Sequence, residues 1–233
     1  MQLERVCGHS FFRELLGNPA VVLDCGANHG EFSKWISKNC NAVVHGFEPD
    51  PLLFPDLPSL PNAHFHHVAI SGTGGPLTLN LGETRCSSAY FSEKSGQKSI
   101  LAESIKLDEF CREKSITRVD LVKLDVEGAE LDILINLPEA FLRNIGQITV
   151  EFHDFIRKSD VPYIRDIISK MQKLGFLCVK FSHYDYSDVL CINTKIHSMA
   201  WWQIVYVYIL KYFHGLKRLS HRNLGLGCQR KKS

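Results

Sequence analysis

Short apolar runs along the chain alternate with stretches whose apolar residues recur every three to four positions. The apolar runs predict seven strands, at 21–23, 42–47, 65–70, 120–124, 147–152, 176–181 and 188–193. The amphipathic stretches predict helices at 6–16, 31–38, 129–137 and 161–174. Strands and helices that alternate in this way predict an α/β fold with a doubly wound, mostly parallel seven-stranded sheet. The last two strands have no helix between them, which indicates an antiparallel edge.

One long segment, residues 82–104, is polar and shows no clear period. Segments of this length inside compact domains are either functional loops or disordered insertions. We expect this segment to form either a lid over the substrate site or an insertion without a role in the site. Its residues carry no pattern that identifies a substrate.

Composition is that of an ordinary globular protein, with 45% hydrophobic and 22% charged residues among 233. We predict one domain over residues 1–195 and a C-terminal extension over 196–233 that ends in a disordered tail. The 8 cysteines are scattered without C-x-x-C pairs, which argues against a zinc site or a disulfide framework. Reduced cysteines and the lack of an apolar leader favour a cytoplasmic location, with membrane association as a further possibility.

A glycine-rich turn follows the first apolar run of the predicted sheet. Asp24 ends that run, and Gly26, Asn28 and Gly30 come directly after it. Glu48 ends the next run, 24 positions after Asp24. In open α/β sheets such a turn admits a ligand close to the backbone, and such an acid accepts hydrogen bonds from ribose hydroxyls. The G-x-G-x-x-G pattern is absent, so a nucleoside cofactor is favoured over a dinucleotide.

Three blocks together resemble a known family. The chain reads D-C-G-A-N-H-G from Asp24, G-F-E-P-D-P from Gly46, and K-L-D-V-E-G-A-E from Lys123. In order and spacing they are similar to the signature blocks of FkbM-type S-adenosylmethionine-dependent methyltransferases. The resemblance extends from about Val21 to about Ile192. It implies a class I methyltransferase fold, S-adenosyl-L-methionine as cofactor, and O-methylation of a hydroxyl on a sugar or small metabolite.

The resemblance also assigns residues to the cofactor. It implies that the ligand contacts the turn formed by Asp24, Gly26, Asn28 and Gly30, with Asp24 orienting the turn or meeting the cofactor ammonium. Glu48 is expected to hold the ribose, and Ala69, near the end of the third strand, is expected to approach the adenine. One departure concerns the turn at 72–75, which is rich in glycine where family members often carry an acid.

Candidate catalytic residues lie at the ends of the fourth and fifth strands. Asp125 follows one strand, and Glu151 and His153 share one face at the end of the other. Methyl transfer to a hydroxyl requires that its proton be removed, and a histidine of near-neutral pKa suits that task. We therefore expect His153 to act as the base, with Asp125 or Glu151 orienting it or binding the acceptor. Two alternatives are a divalent cation held by the three side chains, and purely binding or structural roles.

The C-terminal extension differs in character from the domain. No acidic residue follows Asp188, whereas 8 lysines and arginines do. Residues 200–210 are nearly all apolar or aromatic, with two tryptophans and two tyrosines. Tryptophan, tyrosine and flanking basic residues are typical of segments at a membrane surface. Residues 200–218 are therefore expected either to pack on the domain or a second copy, or to contact a membrane; nucleic-acid binding is less favoured.

The function predicted from these features is S-adenosylmethionine-dependent methylation of a small-molecule or glycan acceptor. Two alternatives remain at this point. A nicotinamide-dependent oxidoreductase would share the α/β sheet, but it is disfavoured because the dinucleotide pattern is missing. A non-catalytic nucleotide-binding scaffold protein would keep the same turn and acid.

Overall fold

A computed structural model describes residues 1–81, 87–88 and 99–223 of the chain. The strands are β1 (Leu3–Val6), β2 (His9–Phe12), β3 (Ala20–Cys25), β4 (Ala42–Phe47), β5 (Ala63–His66), β6 (Ala69–Ile70), β7 (Gly75–Leu81), β8 (Ser87–Ser88), β9 (Ser99–Ile105), β10 (Val119–Leu124), β11 (Ile145–Val150), β12 (Phe176–Lys180) and β13 (Val189–Asn193). The α-helices are α1 (Glu31–Asn39), α2 (Leu107–Glu113), α3 (Glu130–Asn136), α4 (Glu139–Leu142), α5 (Val161–Leu174) and α6 (Trp201–Asn223).

A seven-stranded sheet forms the centre of the fold, in the order β12-β13-β11-β10-β3-β4-β5. Neighbours from β11 to β5 are parallel, and β13 is antiparallel to both β11 and β12. This confirms the predicted fold class, a doubly wound sheet with an antiparallel edge. The strand order reverses between β3 and β10, which is where open α/β sheets bind their ligands.

Helices cover both faces of the sheet because its central strands are apolar on both sides. In β10 and β11 every residue is buried. One face packs against α2, α3 and α5, and the other packs against α1 and the N-terminal strands. The predicted bounds of β4 and α5 are those observed.

The first twelve residues form a β-hairpin, so the prediction of a helix at 6–16 was wrong. Val6 and His9 pair across a two-residue turn made of Cys7 and Gly8. Both turn residues have positive φ, 50° and 92°. Turns of this kind match the right-handed twist of paired strands. Cysteine seldom takes this conformation, so the sequence Cys-Gly gave a weaker hairpin signal than Asn-Gly would have given.

Two buried side chains of the central sheet hold the hairpin in place. The Gln147 side-chain amide accepts a hydrogen bond from Phe12 N at 2.9 Å and donates one to Phe12 O at 3.0 Å. Asp188 accepts hydrogen bonds from Ser10 N (3.2 Å), Ser10 Oγ (2.9 Å) and Arg5 Nε (3.2 Å). Side chains thus replace the backbone ladder that would otherwise join β2 to the sheet.

A second, smaller sheet has the order β6-β9-β7-β8 and lies beside the site. The single strand predicted at 65–70 is divided, because β5 pairs with β4 and β6 pairs with β9. Residues 99–104, predicted as part of an irregular loop, belong to β9. The remainder of the proposed lid, at 82–86 and 89–98, lies outside the described residues. The tail predicted to be disordered was 223–233; Asn223 belongs to α6, and 224–233 lie outside the described residues.

Removing the Asp188 carboxylate tests how the hairpin is held. We expect Asp188→Ala to lower the free energy of unfolding by about 2 to 4 kcal/mol, because the buried Ser10 N–H and hydroxyl lose their acceptor. Arg5→Ala, which removes a partly exposed partner, should cost less than about 1 kcal/mol. Urea unfolding followed by circular dichroism measures both, and equal small effects would contradict this account of the hairpin.

Candidate functional site

A cleft opens at the carboxyl ends of β3, β4 and β10. Its apolar wall combines the central sheet with the smaller sheet and includes Phe47, Leu53, Ala69, Ile70, Leu77 and Leu79. Its polar groups include Glu48, Asp125 and Glu127. An apolar wall with a few convergent polar groups is the usual form of a small-molecule site.

Glu48 lies at the end of β4 with 4% of its surface exposed. Its two carboxylate oxygens accept hydrogen bonds from Asn28 N at 2.7 Å and from Asp50 N at 2.9 Å. Burial raises the pKa of Glu48 to about 7, although the two backbone hydrogen bonds act in the opposite direction. The carboxylate is thus fixed in position and keeps lone pairs that can accept the two hydroxyls of a ribose.

The turn after β3 depends on glycine for packing and on positive φ angles. Gly26 has a φ of 82°, and a Cβ placed there would lie 1.8 Å from the carbonyl oxygen of Asp125. Asn28 also has positive φ, at 50°. Gly26 and Asn28 line the cleft, whereas a Cβ at Gly30 would meet Pro58 at 2.7 Å. The structure therefore places Gly30 against the loop after β4.

Asp24 is fully buried beneath this turn. It accepts a hydrogen bond from Ser33 Oγ at 2.7 Å and lies 3.0 Å from Lys123 Nζ. Because these contacts lie under the cleft floor, the arrangement supports the first of the two expected roles of Asp24, orientation of the turn. It does not support contact with a cofactor ammonium.

Lys123 is the first of two site residues that the sequence analysis missed. Its ammonium donates to Gly26 O at 2.7 Å and lies 3.8 Å from Asp125 Oδ2, in addition to its contact with Asp24. Burial disfavours the charged form, but the neighbouring Asp24 and Asp125 raise the pKa of Lys123 above its ordinary value. The signal was a lysine between apolar residues near the end of a buried strand, since such a charge must be paired.

Asp125 lies where the cleft meets the N-terminal hairpin. His9 Nε2 is 3.3 Å from its Oδ2, and Thr149 Oγ1 is 3.4 Å from His9 Nδ1. Burial opposes ionisation of Asp125, but Lys123 and His9 outweigh it and hold the pKa of Asp125 below its usual range. His9 was also missed by the sequence reasoning, because a residue in a predicted helix had no reason to lie next to Asp125.

His153 is held between two carboxylates. Its Nε2 lies 3.1 Å from Glu127 Oε2, and its Nδ1 lies 3.2 Å from Glu130 Oε1. Burial lowers the pKa of His153, but hydrogen bonds to Glu127 and Glu130 outweigh burial and raise it to about 11. An imidazolium has no lone pair with which to take a proton. This geometry argues against the expectation that His153 is the base and favours a role as a cation that positions the two acids.

Glu130 explains why the turn before α3 has its shape. Its Oε1 accepts hydrogen bonds from Val126 N at 2.9 Å and from Gly128 N at 3.1 Å. Glu127, between them, has a positive φ of 54°. Glu130 thus stabilises a turn that presents Glu127 to the cleft.

Glu151 lies at the end of β11, next to Asp125. Burial is the main cause that raises its pKa to about 7, and the negative charge of Asp125 adds to it. Ligand atoms of His9, Asp125 and Glu151 lie within 4.8 Å of one another, as do those of Asp125, Glu130 and His153. The first set, a histidine and two carboxylates, is of a kind that holds divalent cations. The structure therefore brings together all three residues proposed for catalysis and adds His9.

Sheet topology, the buried Glu48 and the glycine turn together define a nucleoside-binding α/β protein. A family model described as "Methyltransferase FkbM domain" matches residues 24–178. The chain belongs to this family of methyltransferases, whose cofactor is S-adenosylmethionine. The mostly parallel seven-stranded sheet agrees with the fold that the resemblance of the sequence blocks implies.

Curated relatives agree with the family assignment. The chain is 25% identical over 210 residues to the 2-O-methyltransferase NoeI of Sinorhizobium fredii, covering 81% of this chain and 86% of NoeI. It is 24% identical over 218 residues to the 31-O-demethyl-FK506 methyltransferase FkbM of Streptomyces tacrolimicus, covering 77% of this chain and 79% of that protein. It is 27% identical to the AMB antimetabolite synthetase AmbE of Pseudomonas aeruginosa over 58% of this chain, but spans only 8% of AmbE.

The residues of the cleft fit this cofactor by their chemistry. Glu48 offers the ribose an acceptor-only group, and the apolar side chains around Ala69 and Ile70 suit the faces of an adenine. The carboxylates of Asp125 and Glu127 suit a ligand that carries a sulfonium and an ammonium. Asp24, Gly26, Asn28, Glu48 and Ala69 all lie at or directly beneath this cleft.

Replacing Lys123 tests whether one buried ammonium holds the floor of the cleft. We expect Lys123→Met to cost about 3 to 5 kcal/mol of unfolding free energy, because Asp24 becomes a buried charge without its cation. The double variant Asp24→Asn with Lys123→Met should recover part of that loss, as a double-mutant cycle of urea unfolding would measure. If the loss of unfolding free energy in the double variant equals the sum of the losses in the two single variants, the pairing of Lys123 with Asp24 is contradicted.

Replacing Glu48 tests the ribose contact by titration calorimetry with S-adenosylhomocysteine. Glu48→Ala should weaken binding roughly 10- to 100-fold, because two hydrogen bonds to a charged acceptor are lost. Asp56→Ala, an exposed acid in the following loop, is the matched control and should bind normally. Since the ionised form accepts both hydroxyls, wild-type affinity should rise as the pH increases through about 7, the pKa of Glu48, and Glu48→Gln should lose that rise. Unchanged binding by Glu48→Ala would contradict the assignment.

Proposed function

We propose that this chain is an S-adenosylmethionine-dependent O-methyltransferase that acts on a hydroxyl of a sugar or small metabolite. The observation that carries the proposal is the position of Glu151, whose carboxylate lies within 4.8 Å of Asp125, a residue that lines the cleft. Burial in this position raises the pKa of Glu151 to about 7. An alcohol is too weakly acidic to lose its proton unaided, and a base with a pKa near the working pH is effective at that step. The names of the two relatives that span most of this chain, both O-methyltransferases, support the same reaction.

In the proposed reaction the bound cofactor supplies an electrophilic methyl group. Glu151 accepts the proton of the acceptor hydroxyl, and that oxygen becomes the nucleophile. Asp125 stays ionised next to Lys123 and His9, so it can accept a hydrogen bond that orients the acceptor. His153 holds Glu127 and Glu130 in place and takes no part in proton removal. Positioning by fixed side chains supplies much of the rate in such a displacement.

Charge around the site favours an acceptor without a negative group. Four carboxylates, Asp125, Glu127, Glu130 and Glu151, are joined here by the cations Lys123 and His153. An anionic acceptor would add to an excess of negative charge at short range, which is costly in a partly buried site. A neutral hexose is therefore proposed over a hexuronic acid.

Transfer of a labelled methyl group from S-adenosylmethionine to matched acceptors tests the function. The panel pairs methyl glucoside with methyl glucuronide and adds other neutral hexosides and cyclic alcohols. We expect labelled product with at least one neutral hydroxyl compound and little with its anionic counterpart. Calorimetric cofactor binding without transfer to any hydroxyl, amine or thiol in a broad panel would instead support a non-catalytic nucleotide-binding protein.

The base is tested by the pH dependence of kcat/KM for the best acceptor of that panel, measured at saturating S-adenosylmethionine so that titration of Glu48 does not contribute. Because the ionised carboxylate is the active form, the rate should be low below pH 7, rise through about 7 and level off above it. Glu151→Gln should lower kcat by roughly 10²- to 10⁴-fold and remove the rise, while S-adenosylhomocysteine still binds. A Glu151→Gln variant with a normal rate and pH profile would overturn this role.

A divalent cation would be an alternative way to acidify the hydroxyl. The ligand atoms of His9, Asp125 and Glu151 lie close enough together to hold such an ion. Treatment of the wild-type protein with EDTA separates the two mechanisms. Activity that persists supports direct proton transfer to Glu151. Activity that is lost and returns with Mg²⁺ or Mn²⁺ supports a cation-assisted reaction.

A further inference from the structure

Helix α6 packs on the domain through a narrow stripe. Val207 is fully buried in the cluster formed with the N-terminal hairpin and α1, and Leu210 packs beside it. The helix lies against β12, and Gln203 Nε2 approaches Met1 Sδ at 3.8 Å. Residues 201–212 therefore have a fixed inner side, so that their outer side is defined as well.

The outer side of this part of α6 is apolar and aromatic throughout. Its exposed large side chains are those of Trp201, Trp202, Val205, Tyr206, Tyr208, Ile209 and Tyr212. With about 100° between successive helical residues, these positions fall on one continuous arc opposite Val207. Between residues 200 and 212, where the side chains are described, the one charged residue is Lys211, and it is half-buried. Surface helices normally place charged groups on the outer side, and here that pattern is reversed.

The charge of the surrounding sequence restricts what this surface can contact. After Asp188 the chain has 8 basic residues and no acid. Tryptophan and tyrosine rings favour the headgroup level of a bilayer, where one end of the ring is apolar and the other meets water. Basic residues add attraction to anionic lipids. Because aromatic residues are also common at protein interfaces, the run of basic residues without acids is the feature that favours anionic lipid as the partner.

We propose that the outer side of α6 binds the surface of a membrane that contains anionic phospholipids. The helix would lie in the plane of the interface and not across it. Among the described residues, none of the helices is long and apolar enough to cross a bilayer. The proposal is independent of the methyl acceptor and of the catalytic roles.

Vesicle co-sedimentation of the full chain tests the proposal. The probes are vesicles of phosphatidylcholine alone and of phosphatidylcholine with 30% phosphatidylglycerol as a trial composition. We expect binding to the mixed vesicles that weakens at high salt, with a blue shift of tryptophan emission. The triple variant Trp201→Ser, Trp202→Ser and Tyr212→Ser should bind at least tenfold more weakly.

A matched control removes exposed aromatic residues elsewhere. Tyr163→Ser with Tyr184→Ser alters two side chains that are 59% and 76% exposed, and it should bind vesicles as the wild type does. Circular dichroism checks that both variants are folded. The proposal would be overturned if the wild-type protein did not bind the mixed vesicles, or if the triple variant bound them as well as the Tyr163→Ser, Tyr184→Ser variant does. Concentration-dependent dimerisation that the triple variant abolishes, without vesicle binding, would identify a second copy of the chain as the occupant and also overturn it.

Discussion

The buried ammonium of Lys123 is the contact on which the site depends. It joins the ends of β3 and β10, the two strands between which the sheet order reverses, by contacting Asp24, Gly26 O and Asp125. A lysine with so little exposure is costly unless every donor is matched, and here two carboxylates and a carbonyl surround it. The glycine turn and Asp125 are therefore positioned by the same cation. These two parts of the cleft are thus fixed relative to each other before any ligand arrives.

The local pattern of apolar and polar residues was sufficient to predict the central sheet and most of the helices that pack on it. Apolar runs such as Ala42–Phe47 and amphipathic stretches such as Val161–Leu174 have a period that matches a single structure. The cleft could be expected for the same reason, because motifs at strand ends meet at one edge of a parallel sheet. Thus Glu48 and Asp125 lie in the cleft, where their positions at strand ends indicated.

What the sequence did not reveal arises from contacts between distant segments. The β1–β2 hairpin is held by Gln147 and Asp188, and neither interaction leaves a local signal near residue 10. With the hairpin misassigned, His9 could not be placed beside Asp125. The state of His153 was missed for a related reason. Its neighbours Glu127 and Glu130 belong to a different segment of the chain, and only folding brings their carboxylates to 3.1 and 3.2 Å from the two imidazole nitrogens.

Gln147 and Asp188, which hold the β1–β2 hairpin, lie far from it along the chain. This separation has a consequence for the order in which the chain folds during synthesis. Phe12 bonds to a residue 135 positions later, and Ser10 bonds to one 178 positions later. A nascent chain can pair β3 with β4 early, but its first strands have no anchor in the central sheet until Gln147, and then Asp188, have left the ribosome. The nucleoside half of the cleft can thus form during translation, whereas the half that contains His9 is completed last.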